Sequence, residues 1–167
     1  MEQAKIISQI FKQQFDVDPE VICYAPGRVN LLGDHTDYND GFVLPAAIDV
    51  GTTIAASRRD DGQVVAFADG YSAEVDCFSL ENITFSHAEM WRNYVRGTLK
   101  CLRETNGDFG GVNLAITGNV PQGAGLSSSA SFEMAILKTI VDLYQLNLDG
   151  VAAALLGQRA ENEFVGC

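Results

Sequence analysis

Residues 118–133 read Gly-Asn-Val-Pro-Gln-Gly-Ala-Gly-Leu-Ser-Ser-Ser-Ala-Ser-Phe-Glu, and the fold turns on how they are read. Just ahead of them Val112, Leu114 and Ile116 alternate, which predicts a strand. Pro121 stops that strand, and Gly123 and Gly125 permit positive φ. Beyond the loop Ala130, Met134, Leu137, Val141 and Tyr144 step by four and three, the stripe of a helix packed on one face. Ser127, Ser128 and Ser129 stand where that helix begins, with hydroxyls free to cap it or to contact a ligand. The first N–H groups of such a helix have no internal partner and carry its positive dipole end. They make a site for an anion, typically phosphate.

No Lys or Arg occurs between Arg103 and Lys138. The common P-loop is therefore excluded, because it needs an ammonium beside the phosphates. The dinucleotide fingerprint is excluded too, since serine replaces its third glycine. A polyphosphate here would be held by backbone amides, hydroxyls and a metal. Composition alone leaves a second reading open: a glycine-rich turn feeding a buried helix.

The chain has 167 residues, 47% of them hydrophobic, enough for one domain with a core. A net charge of −11 argues against a nucleic-acid or anionic-membrane surface. It also sets an unfavourable field for ATP, which again points to amide dipoles and a divalent cation. Cys23, Cys77, Cys101 and Cys167 show no Cys-x-x-Cys spacing, as expected of reduced thiols in a cytoplasmic protein. Met1 to Lys5 lacks the apolar core of a signal peptide, and no apolar run approaches a membrane span.

In chain order, Ile6, Ile7, Ile10, Phe11 and Phe15 predict an amphipathic helix over 4–15, ended by Asp16-Val17-Asp18-Pro19. Val21 to Tyr24 reads as a short strand. The polar, glycine-bracketed segment from Ala25 to Gly41 reads as a long loop. Within it Asp34, His35 and Asp37 lie within four positions, and these residues alone allow a turn, a polyol-binding site or a metal site. Strands over 43–57, 64–68 and 73–78 suggest an antiparallel meander, with Arg58-Arg59-Asp60-Asp61-Gly62 as a solvated hairpin tip. Met90 to Arg103 is helical, and Trp91 reads as core rather than as a base-stacking platform. His87 reads as a surface or capping residue. Asp149 caps a last helix carrying Val151, Leu155, Leu156, Ala160 and Phe164, and Glu161 inside it reads alone as a solvated glutamate. No repeat or low-complexity segment occurs.

Pro121-x-Gly123-x-Gly125-Leu126-Ser127-Ser128-Ser129-Ala130 resembles the phosphate-binding signature of the GHMP small-molecule kinases, which include galactokinase, homoserine kinase and mevalonate kinase. Gly27-Arg28-Val29-Asn30-Leu31-Leu32-Gly33-Asp34-His35-Thr36-Asp37-Tyr38-Asn39 resembles the galactokinase signature. That family usually carries Glu at the position of Asp34, so the carboxylate here sits one methylene nearer the backbone. The segment from Gln158 to Cys167 resembles the one whose glutamate, here Glu161, ligates magnesium.

The resemblance covers essentially the whole chain. It implies an α+β fold with a mixed or antiparallel sheet packed with helices, as in the N-terminal domain of GHMP kinases, spanning 1–167. It implies transfer of the ATP γ-phosphoryl group to the anomeric hydroxyl of galactose, with ATP and Mg²⁺ as cofactors. Gly123, Ala124, Gly125, Leu126, Ser127, Ser128 and Ser129 would wrap the nucleotide phosphates. Ser129 and Glu161 would hold Mg²⁺, and Asp34, His35, Thr36 and Asp37 would seat the sugar. Arg28 would lie near the reacting oxygens, its other reading being a structural salt bridge.

The family's catalytic aspartate lies roughly a dozen residues beyond the magnesium glutamate, a position past Cys167, and Asp142 and Asp149 lie outside its motif. The chain therefore reads as the N-terminal portion of a galactokinase without its C-terminal domain, inactive alone and prone to self-association through uncovered apolar surface. Two rivals stand beside this reading: an N-acetylgalactosamine kinase and a non-catalytic galactose- and ATP-binding regulator.

Overall fold

The computed structural model describes residues 2–33, 41–121 and 123–166. Helix α1 (Glu2–Phe15) leads into strand β1 (Val21–Leu32), followed by β2 (Leu44–Arg59), β3 (Gln63–Ala68) and β4 (Asp76–Ser79). Then come α2 (Met90–Asn106), β5 (Gly111–Gly118), α3 (Ser128–Tyr144), α4 (Gly150–Arg159) and a π-helical turn over Ala160–Val165. The five strands form one mixed sheet in the order β1-β2-β5-β3-β4. The α+β class expected from the sequence is what the chain adopts.

The meander is corrected. β2 and β3 do not pair, because β5 inserts between them, antiparallel to β2 and parallel to β3. Glycine permits the insertion: a Cβ on Gly111 would stand 2.5 Å from the carbonyl oxygen of Gln63. The Arg58–Gly62 turn therefore joins two strands that are not neighbours. Its arginines are engaged within the fold, Arg58 with Glu20 and Arg59 with Asp61 and Asn113.

Alternation sorts the two faces of the sheet. Ile54, Ala56, Leu114 and Ile116 join the main core under α2, α3 and α4, while Ala55 and Ala115 face Ile7 and Phe11 of α1. The small alanines let α1 lie close. Full burial of Ile7 and Phe11 stabilises that contact by about 1.5–3 kcal/mol per side chain. Because both faces are covered, β5 is buried from Gly111 to Ile116. Buried Asn113 in its middle bonds the Ser57 hydroxyl.

On the other face α3 is enclosed by the sheet, α2 and α4. The expected stripe is corrected accordingly. Of its five members Leu137 is fully buried and the other four are half-buried, whereas Phe132, Ile136, Ile140 and Leu143 point into the core. Asp76 of β4 and Arg96 of α2 form a bidentate buried ion pair at 2.7 and 2.8 Å, which ties the far edge of the sheet to α2. Asp149 caps α4 by accepting from the Ala152 amide at 2.8 Å, as its position predicted. Val151 and Leu155 differ from expectation, lying 72% and 61% exposed on the outer side of α4.

Candidate functional site

β1 runs on through Ala25 to Leu32, so the first half of the segment expected as a loop is strand paired with β2. Its register shifts between Pro26 and Arg28 and again between Asn30 and Leu32. Asp34, His35, Thr36 and Asp37 lie outside the described residues. The strand that leads to them meets the glycine-serine loop directly. The Arg28 amide donates to the Leu126 carbonyl at 3.1 Å. Gly27 permits that approach, since a Cβ there would stand 2.9 Å from the same oxygen. Two motifs remote along the chain are thus joined by one backbone hydrogen bond.

The loop's geometry follows from its glycines. Gly123 and Gly125 take φ of 69° and 70°, and Ser127 takes φ of 55° at the N-cap of α3. A left-handed serine costs about 1 kcal/mol or more and marks a site held by its surroundings. The Ser127 hydroxyl makes no capping bond. Of the hydroxyls that could serve a ligand or a cap, the structure withdraws instead that of Ser131, which donates to the Ala25 carbonyl at 2.9 Å and lies 3.0 Å from the Thr52 hydroxyl. Ser131 thereby pins the first turn of α3 onto β1 and β2.

That first turn is the wall between two cavities. One, of about 360 Å³, is lined by Tyr71, Trp91, Tyr94 and Phe132 together with Ser128 and Ser129. The other, of about 320 Å³, is lined by Gly27, Arg28, Pro45 and Ala46 together with Ser127 and Ala130. The reading of Trp91 as core is right as far as its 5% exposure goes, yet its ring also lines the first cavity and its Nε1 is buried without a hydrogen-bond partner. Tyr71 and Phe132 were not singled out from the sequence, and Tyr94 reads there only as part of the apolar side of the Met90–Arg103 helix. An aromatic three residues after Trp91 and another three after Ser129 were the available signals.

Glu161 lies half-buried in the π-helical turn. The expected continuous last helix is corrected there; such π-bulges are frequent at functional positions. Sequence reading missed its neighbour in charge, Glu133. This side chain is 1% exposed, and its Oε1 has no hydrogen-bond partner. Burial first, and the negative charge of Glu161 second, push its carboxyl up to about 8. Its position four residues after Ser129 was the signal that could have found it. Among the described residues no group of three or more His, Cys, Asp and Glu is arranged to hold a metal ion. Ser129, Glu133 and Glu161 carry one hydroxyl and two carboxyl groups, hard oxygens of the kind that suit Mg²⁺.

Asp142 pairs with Lys138 at 2.6 Å, and Asp149 serves as a cap. No helix among the described residues is long and apolar enough to cross a membrane.

Residues 9–58 match the galactokinase galactose-binding signature, and residues 93–167 match the N-terminal domain of GHMP kinases. Lactococcus lactis galactokinase, solved in complex with galactose, superposes with a TM-score of 0.90 at 35% identity, over 98% of this chain and 43% of that one. A mevalonate kinase matches at 0.70 and 23% identity over 86% of this chain and 47% of its own. Homoserine kinase from Cytophaga hutchinsonii matches at 0.63 and 22% identity over 88% and 42%. The last two show a shared fold.

A glycine-serine loop at the mouth of a buried helix, seated on a mixed sheet of this order, places the chain in the GHMP kinase family. Within that family it carries the galactokinase galactose-binding signature, and it spans less than half the length of the galactokinase it matches.

Proposed function

We propose that this chain forms the nucleotide- and sugar-binding part of a galactokinase, which transfers the γ-phosphoryl group of ATP to the C1 hydroxyl of galactose. The observation that carries the reading is the position of the first turn of α3 between an aromatic cavity and the Arg28 cavity. A nucleobase fits the first, between Tyr71, Trp91, Tyr94 and Phe132, because a planar π-face stacks on aromatic rings and the volume is in the usual ligand range. The triphosphate then crosses the helix mouth, where amides from Gly123 to Ser129 and the hydroxyls of Ser127 and Ser128 face it with the positive end of the α3 dipole. The γ-phosphoryl group arrives beside Arg28, whose guanidinium offsets charge developing on the transferred oxygens.

Asp34, His35, Thr36 and Asp37 seat the sugar, because short acidic, imidazole and hydroxyl groups match adjacent sugar hydroxyls and penalise an analogue that lacks them. Ser129 and Glu161 would hold Mg²⁺, which would supply positive charge to offset that of the phosphates. Among the described residues lining the two cavities the one carboxylate is Glu89, and Arg92 engages it at 2.8 Å. That engagement leaves Glu89 unsuited to take the sugar-hydroxyl proton, and the isolated chain is expected to turn over negligibly. The sugar loop favours plain galactose over N-acetylgalactosamine. The intact serine run favours a kinase over a regulator.

Calorimetric titration of the chain with MgATP and with galactose tests the reading. Saturable binding of both, without ADP release, is expected. Binding of neither overturns it, and sustained ADP release overturns the claim of inactivity.

A further inference from the structure

A carboxylate sealed in a protein interior, without a cation or a hydrogen bond to one of its oxygens, is costly enough to demand a reason. Glu133 is such a group, 1% exposed with Oε1 unpartnered. It lies in the seam between α3 and α4. Gly157 packs against it so closely that a Cβ there would stand 3.3 Å from Glu133 Oε2 and 2.7 Å from the Met134 methyl. Ser129 is four residues before Glu133 on α3 and shares its face; Glu161 is four residues after Gly157 along α4 and its π-helical continuation. The two residues assigned to the cation therefore each stand one turn from the Glu133–Gly157 contact.

We propose that Glu133 is a positioning residue of the cation site, its Oε1 accepting a hydrogen bond from a water molecule bound to the Mg²⁺ ion that Ser129 and Glu161 hold. This rests on the proposed function for those two ligands and adds a residue to them. Mg²⁺ dehydrates reluctantly and keeps several waters, so an acceptor behind the ligands orients the ion through its water shell. An oxygen buried with no protein donor is what such a water requires. Gly157 leaves the space for Glu133 to lie in the seam.

The test is Mn²⁺ binding to the full chain by electron paramagnetic resonance, in the wild type and in Glu133→Met, Glu133→Gln and Glu161→Gln. Loss of an outer acceptor typically weakens a metal by about 10–100-fold, the drop expected for Glu133→Met. Glu133→Gln keeps an acceptor oxygen and should fall between Met and wild type, a graded rescue that a packing role would not produce. Folding of each variant is checked by circular dichroism.

Wild-type affinity in Glu133→Met, with affinity lost in Glu161→Gln, overturns this inference and leaves the proposed function standing. Unchanged affinity in Glu161→Gln, or no Mn²⁺ binding by the wild type, overturns the cation ligands and this inference with them. Failure of both Glu133 variants to fold shows that the carboxylate holds the fold, and also overturns it.

Discussion

In metal-free buffer, replacing Glu133 by glutamine should stabilise the chain at pH 8.5 and leave it nearly unchanged at pH 4.5. The carboxyl is 1% exposed, and its pKa rises from 4.5 to about 8 through burial first and the charge of Glu161 second. In the unfolded chain the group ionises near 4.5; in the folded chain it holds its proton until about 8. Between those values folding takes up a proton, so stability falls as pH rises and levels off above the folded pKa. At 1.36 kcal/mol per pKa unit, the wild type loses about 5 kcal/mol across that window. That is a third or more of the ~5–15 kcal/mol available to an ordinary domain. Glutamine cannot ionise and escapes the loss.

Urea denaturation followed by circular dichroism in EDTA, at pH 4.5, 6, 7 and 8.5, measures the difference. Titrating groups remote from Glu133 cancel between the two proteins. A gap that opens steadily with pH supports the reasoning. Parallel curves for wild type and variant refute it.

Three further outcomes are expected of the same fold. Asp76→Ala leaves Arg96 buried without its carboxylate, and should cost about 3–5 kcal/mol in denaturant melts, whereas loss of an exposed pair such as Lys12–Asp18 should cost far less. Gly27→Ala forces the Leu126 carbonyl away from a Cβ only 2.9 Å off, and should weaken MgATP binding about tenfold by calorimetry, for an overpacking cost of about 1–3 kcal/mol. Leu31, Leu32, Phe42 and Leu44 at one end of the sheet, with Val151 and Leu155 on α4, are more than half exposed. Light scattering should therefore show self-association that Val151→Ser with Leu155→Ser reduces, and a monodisperse monomer at high concentration would contradict this.

Local signals carried well where one residue decides one feature. The α1 stripe apart from Ile6, which is 47% exposed, the Asp149 cap and the glycine turn before α3 were legible, because periodicity and turn chemistry act over a few residues. The order of the sheet was not. Consecutive strands usually pair, and nothing in Arg58–Gly62 announces that β5, fifty residues on, slides in between. The signal is Gly111, whose missing side chain matters only once Gln63 is known to lie against it. Glu133 escaped for a similar reason. Four residues after Ser129, it reads as any glutamate on a helix until α3 proves to be enclosed by α2, α4 and the sheet. The glycine-serine loop was legible as a motif, but its junction with β1, through the Arg28 amide and the Leu126 carbonyl, is a tertiary fact. Resemblance supplied the sugar-seating role of Asp34, His35, Thr36 and Asp37, since their spacing alone suits a turn equally well.

Trp91 is the chain's one tryptophan, and it lines the cavity beside Ser128 and Ser129, so its emission reports on that site without a label. Titration with MgATP should shift or quench Trp91 fluorescence along a saturable curve, with adenosine alone giving a weaker response and galactose little. A flat signal with ATP, matched by no heat of binding, would contradict the claim that the mouth of α3 receives a nucleotide.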